Sequence, residues 1–143
     1  MKVSSKGRYA LRMMIDIAQH NTGEWISIKD ISRRQEISVK YLEQIVTILN
    51  KSGLVISSRG PRGGYMLSKP PQEYTVGQIL RVIEGNLASV ACLKTDENQC
   101  ERRNVCTTID FWEGLCNVIN NYVDSVTLQD MIGYQCANED CDC

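Results

Sequence analysis

The chain contains no unbroken apolar run of transmembrane length. Its basic opening, Met1-Lys2-Val3-Ser4-Ser5-Lys6-Gly7-Arg8, leads into no signal-peptide core. Neither membrane insertion nor export is expected, and the chain reads as cytoplasmic. Cys-x-x-Cys pairs and glycine-rich nucleotide loops are missing too, and no acid-base pair accompanies the cysteines, so an enzyme is not expected. Histidine is nearly absent. The single one, His20, falls at the end of a helical stretch, where a surface or capping role suits it better than metal ligation. With 143 residues, 43% of them hydrophobic, the chain can form one compact domain with an oligomerisation element, but not two full domains.

Cysteine, by contrast, is abundant. Seven thiols, an odd number in a reducing compartment, argue against a disulfide framework and towards metal or redox chemistry. The formal net charge of −1 hides a second feature. Residues 1–70 carry 12 Lys and Arg against 5 Asp and Glu, whereas residues 71–143 carry 4 against 12, so the halves stand at +7 and −8. A basic amino-terminal half fits either a polyanionic partner or a merely solvated surface, and position within a motif must decide.

The periodicity supplies that motif. Tyr9, Ala10, Met13, Met14, Ile17 and Ala18 recur at helical spacing, with Arg8, Arg12, Asp16 and Gln19 on other faces. After Asn21-Thr22-Gly23, Ser27 and Asp30 resemble a capping box that opens a short helix ending near Arg34. Ser38 then suits an N-cap for a third helix to about Lys51, apolar through Leu42, Ile45, Val46 and Leu49 and polar through Lys40, Glu43, Gln44 and Thr47. Two short helices so joined fit a helix-turn-helix whose second helix enters the major groove. Residues 54–58 and 64–67 read as strands of a wing around Arg59-Gly60-Pro61-Arg62-Gly63, a tip whose two arginines suit phosphate or a minor groove.

Thr75 caps a further helix ending near Gly85. Ile109, Trp112, Leu115, Cys116, Ile119, Tyr122, Val123 and Val126 then define a long helical stripe. That stripe is too apolar to stay exposed. Pairing with a second copy would bury it and match a palindromic operator, and folding back on its own domain is the alternative. The expected class is mainly α: a winged helix-turn-helix over residues 1–85, a cysteine-bearing loop over 86–107, a dimerisation helix over 108–126, and a short helix with a cysteine-rich acidic tail over 127–143.

Ser4-Ser5-Lys6-Gly7-Arg8-Tyr9-Ala10, Ile37-Ser38 to Tyr41-Leu42-Glu43-Gln44, Gly53-Leu54-Val55 and Arg59-Gly60-Pro61 to Gly63-Gly64-Tyr65 together resemble the iron-sulfur cluster regulator family, IscR, over about residues 1–126. The resemblance implies a winged helix-turn-helix repressor with a long dimerisation helix, acting on double-stranded DNA as a homodimer. By position, Ser38, Lys40, Tyr41, Glu43 and Gln44 look like its groove-facing set, and Arg59 like its minor-groove wing residue. Pro61, Arg62 and Gly63 complete the wing tip as DNA-binding candidates. Glu43 can accept from a cytosine amino group, Gln44 can address adenine, and Lys40 can offset phosphate charge. Lys40 departs from the small polar residue of some relatives. Tyr41 can both pack through its ring and bond phosphate through its hydroxyl.

Cys92-x7-Cys100-x5-Cys106 places three thiols on one segment, close enough in sequence to meet at one iron-sulfur or zinc centre. They match the family's three cluster cysteines, which implies a cluster of the 2Fe-2S kind; zinc, or no metal, is the alternative. The fourth ligand breaks the pattern. The family histidine position is Ile109, and position 8, acidic in some relatives, is Arg8. Asp96, Glu97, Glu101, Asp110, Cys136, Cys141 and Cys143 remain as candidates. Cys116 reads as packing on the long helix. A ligand-controlled regulator is thus expected, against a cluster-independent regulator of cysteine or sulfur metabolism, or a nitric oxide sensor on the same fold.

Overall fold

The structure is a computed structural model that describes residues 2–95 and 100–135. Three helices open the chain: α1 (Ser5–Gln19), α2 (Ile28–Gln35) and α3 (Val39–Lys51). Each begins where a serine accepts a backbone N–H three residues on. Ser4 Oγ receives Gly7 N at 3.1 Å, Ser27 Oγ receives Asp30 N at 3.1 Å, and Ser38 Oγ receives Tyr41 N at 3.2 Å. Each cap satisfies a donor that the helix cannot, worth about 1 kcal/mol. Met13, Met14, Ile17, Ile31, Leu42, Ile45 and Leu49 are almost wholly shielded and form the centre of one core. Burying each such side chain contributes about 1.5–3 kcal/mol.

Asp16 is a correction to the periodicity. It shares a polar face with Arg8 and Arg12 by spacing alone, yet it is fully buried. Arg34 donates to both of its carboxylate oxygens, Nε at 3.0 Å and Nη2 at 2.7 Å, and Gln35 Nε2 donates at 2.9 Å. The bond to Asp16 raises the Arg34 guanidinium pKa above its ordinary value. His20 ends α1 as expected, with Nδ1 lying 2.8 Å from the Asp16 carbonyl oxygen.

Strands β1 (Val55–Ser58) and β2 (Gly64–Leu67) pair antiparallel, Val55 opposite Leu67 and Ser58 opposite Gly64. Ile26 exchanges both backbone hydrogen bonds with Tyr65, at 3.1 and 2.8 Å, and so joins the segment before α2 to the hairpin. Tyr74, wholly buried, donates its hydroxyl to the Leu54 carbonyl at 2.7 Å and accepts from Ser68 N and Lys69 N at 3.0 Å. The base of the hairpin is thereby locked to α4 (Val76–Glu84), which packs on α1 and α3.

Beyond α4 a loop with short turns at Ala91–Leu93 and Arg103–Val105 leads to α5 (Ile109–Ser125), followed by α6 (Leu128–Gln135). Leu128 returns to the core, and Met131 and Ile132 pack against it. α5 buries no residue completely. Its face towards α4 holds half-buried Cys116, Ile119, Asn120 and Val123, while Phe111, Leu115, Val118 and Tyr122 are exposed. Of the expected pairing residues, Leu115 and Tyr122 lie on the open side, whereas Trp112 and Ile119 are half-covered.

Candidate nucleic-acid interface and cysteine loop

α2 and α3 meet through a turn made by Glu36, a non-glycine residue with φ 55° and ψ 41°. This left-handed conformation reverses the chain within a few residues, and the buried Ile37 holds it against the core. Ser32 Oγ adds a hydrogen bond to the Ile37 carbonyl at 2.6 Å. α3 therefore starts at a fixed angle to α2 and presents two distinct faces. Leu42, Ile45, Val46 and Leu49 point inward, and Ser38, Lys40, Glu43, Gln44 and Thr47 are exposed. Tyr41 sits between them: half-buried, with its ring edge-on to Tyr9 at 5.6 Å between centroids. Arg12 lies over the Tyr9 ring at 5.3 Å and donates to the Gln35 carbonyl, which adds a cation beside the turn that the motif had not singled out.

The wing tip is held by a hydrogen bond from Gly63 N to the Gly60 carbonyl at 3.0 Å. Gly60 has φ +106°, a conformation that favours glycine. Arg59, Pro61 and Arg62 are exposed there, and Gly63 is half-buried. Pro61, Arg62 and Gly63 also border a cleft of about 510 Å³ with Glu24, Trp25 and Asp30. A polar helix surface and an arginine-tipped hairpin are thus joined, α3 packing on β1 with Asn50 Nδ2 3.4 Å from Ser57 Oγ, and these are the two parts that a B-DNA groove and its backbone would meet.

The cysteine loop is less assembled. Cys92 and Cys106 are half-buried and Cys100 is exposed. Cys106 lies just ahead of α5, with Sγ 3.6 Å from Thr108 Oγ1. The Thr108 hydroxyl, the Thr108 and Ile109 backbone and the positive Arg102 hold its thiol below the ordinary pKa, and this favours the thiolate that binds metals. The donor set fits an iron-sulfur cluster in kind, because thiolates are its usual ligands. Among the described residues, however, no three His, Cys, Asp or Glu side chains come together to hold a metal. Glu101 and Asp110 are exposed, and Asp96, Glu97, Cys136, Cys141 and Cys143 lie outside the described residues. Cys116 is half-buried on the covered side of α5. It lines a cavity of about 240 Å³ with Leu93, Glu113 and Asn117, and its sulfur receives Asn120 Nδ2 at 3.5 Å.

Residues 3–134 match the model of the Rrf2 family, described as iron-dependent transcriptional regulators. The chain belongs to the Rrf2 family. It is 36% identical over 135 residues to the HTH-type transcriptional regulator IscR of Yersinia pseudotuberculosis, which covers 94% of this chain and 81% of the relative. Among solved structures, it resembles CymR, the global cysteine regulator of B. subtilis, at 37% identity and TM-score 0.76, over 94% of this chain and 98% of CymR. It also resembles T. potens IscR at 36% identity and TM-score 0.75, over 100% and 94% of the two chains. As an Rrf2 member, the chain is a DNA-binding transcriptional regulator and not an enzyme, and its fold is the winged helix-turn-helix expected from the residues. Among the described residues no helix is long and apolar enough to cross a membrane.

Proposed function

We propose that this Rrf2 chain is a cytoplasmic repressor that binds a palindromic operator as a homodimer and senses a cluster, of the 2Fe-2S kind, held by Cys92, Cys100 and Cys106. The observation that carries the DNA-reading part is the exposed polar face of α3, a helix that packs on β1 of the hairpin whose exposed tip is Arg59, Pro61 and Arg62. Ser38, Lys40, Tyr41, Glu43 and Gln44 would face the major groove. Arg59, with Pro61, Arg62 and Gly63, would reach the flanking minor groove or its phosphates. The exposed α5 row supports the homodimer: Phe111, Leu115, Val118 and Tyr122 follow each other at intervals of four, three and four residues, the spacing of a helix-pairing seam. The acidified Cys106 at the start of α5 supports the metal-binding part.

A bound cluster would supply a redox-responsive centre and tie together segments of the loop. The loop joins α4 to α5, so ordering it bears on how the reading head meets the dimer helix. The deciding experiment is anaerobic purification, with iron and sulfide determined alongside operator affinity. The wild type should carry both elements and absorb visible light. Changing Cys92, Cys100 and Cys106 together to Ala should leave a folded, colourless dimer whose affinity for at least one operator differs about 5- to 150-fold. A triple variant that keeps its cluster overturns the ligand set. A second reading, a cluster-independent regulator of cysteine or sulfur metabolism, is favoured by Ile109 at the family histidine position and by the likeness to CymR. A colourless wild type that binds its operator normally would select that reading.

A further inference from the structure

α4 and α5 are fastened at two levels. At the lower one, Val76 N donates to the Val126 carbonyl and Leu128 N to the Tyr74 carbonyl, both at 2.9 Å, with Thr75 bridged to Thr127. These bonds pin the carboxyl end of α5 to the start of α4, where Val123 and Val126 also pack against the cluster of Val76 and Leu80. The upper fastening is polar and directional. Arg81 donates from Nη1 to Asp124 Oδ1 at 2.6 Å, and from Nη2 to Asp124 Oδ2 at 2.9 Å and Asn120 Oδ1 at 2.7 Å. A planar guanidinium bound by three acceptors on two successive turns of α5 fixes direction as well as distance.

Gly77, one turn before Arg81, lies under this clasp and is buried. A Cβ there would run into Asp124 Oδ1 and come within 2.8 Å of Arg81 Nη1 and 2.9 Å of Val123 Cγ2. A side chain at this position would displace the ends of the clasp itself, because Asp124 and Arg81 supply the nearest atoms it would meet. Arg81 and Asp124 keep 35% and 45% of their side-chain exposure, so the pair adds little to global stability. Its geometric specificity exceeds its energy, which is the mark of a positioning contact.

α4 packs on α3 on one side and on α5 on the other. The angle of α5 on α4 therefore sets where a partner's α3 falls relative to this one. We propose that Arg81, clasping Asp124 and Asn120 over Gly77, is a positioning residue that fixes the half-site spacing the dimer accepts. The inference rests on the homodimer reading above. Inserting one base pair between half-sites turns one of them by about 35° around the duplex. Only a stiff joint between reading head and dimer helix makes that displacement costly.

The test begins with an operator selected from random duplexes by the wild-type protein, then varied by one or two base pairs at its dyad. The wild type should lose about 30-fold or more in affinity on a one-pair insertion, and Arg81→Ala about 3-fold or less. Arg81→Ala should remain folded, dimeric and unchanged in affinity for a single half-site. Arg81→Asp combined with Asp124→Arg should restore spacing discrimination. Gly77→Ala, whose methyl displaces the Asp124 carboxylate from Arg81, should change the spacing preference in the same direction and serves as the second probe should Arg81→Ala fold poorly. A folded, dimeric Arg81→Ala with wild-type spacing discrimination, or a folded Gly77→Ala with wild-type preference, overturns the inference alone. A monomeric wild type overturns the homodimer reading and this inference with it.

Discussion

Arg34 reaches from α2 into the core and meets Asp16 of α1 with two nearly parallel donors, at 3.0 and 2.7 Å, where the carboxylate has no solvent exposure. Arg34 itself keeps 27% of its side-chain exposure. The two partners are therefore unequal. Arg34→Ala would remove the cation from a buried carboxylate that keeps Gln35 Nε2 at 2.9 Å and His20 Nδ1 at 3.7 Å beside it, at a cost of about 3–5 kcal/mol. Asp16→Ala should cost less, since Arg34 can regain water. Urea unfolding of both variants checks the order. A loss below about 1 kcal/mol for Arg34→Ala would contradict this account of the α1–α2 joint.

Glu43 is exposed on α3, where its negative charge would repel phosphate unless it reads a base. Glu43→Ala should change sequence preference more than affinity for random DNA. Arg59→Ala should weaken operator binding by about 1–3 kcal/mol with no change in melting behaviour. Binding titrations on the operator and on random duplexes separate the two effects. A uniform change across all sequences for Glu43→Ala would remove it from the base-reading set.

Val118 and Phe111 are 65% and 64% exposed in the single chain, in the row that also contains Leu115 and Tyr122. Val118→Lys should split the dimer, since an unpaired charge in an apolar seam is strongly disfavoured. Sedimentation should then show a monomer at micromolar concentration while far-ultraviolet dichroism stays unchanged. Cys116→Ala, on the covered side of α5, should leave the dimer intact. Equal dimerisation by Val118→Lys and the wild type would place the interface elsewhere.

Arg81 holds the Asp124 carboxyl below its ordinary range, and Asp124 raises Arg81 in return. A carboxylate whose folded value is depressed contributes stability that is fully present above its unfolded value, about 3.9, and lost as pH falls through the lower folded one. The clasp should therefore be intact throughout pH 5–8. Because both side chains are partly exposed, a double-mutant cycle of Arg81→Ala and Asp124→Ala should give about 1 kcal/mol or less at pH 7. The coupling should fade as pH falls below the ordinary carboxylate range and Asp124 takes up its proton. Coupling that persists once Asp124 is protonated would show that the Arg81–Asp124 contact does not depend on the carboxylate charge.

Local chemistry was legible in the sequence. Ser27, Ser38 and Thr75 cap the helices they were expected to cap, and the wing closes around Arg59–Gly63, because caps and tight turns depend on residues only a few positions apart. The split of α3 into an apolar and a polar face followed from its period for the same reason. Tertiary structure alone decided what joins distant segments. Asp16 reads as polar surface until Arg34 is brought beside it. The α5 stripe mixes Trp112 and Ile119 with Leu115 and Tyr122 until α4 covers one side. Arg81 and Asp124 stand 43 residues apart with no periodic signal to connect them. Periodicity says that a face must be buried, but only packing chooses the partner, because burial energy is nearly indifferent to which apolar surface supplies it.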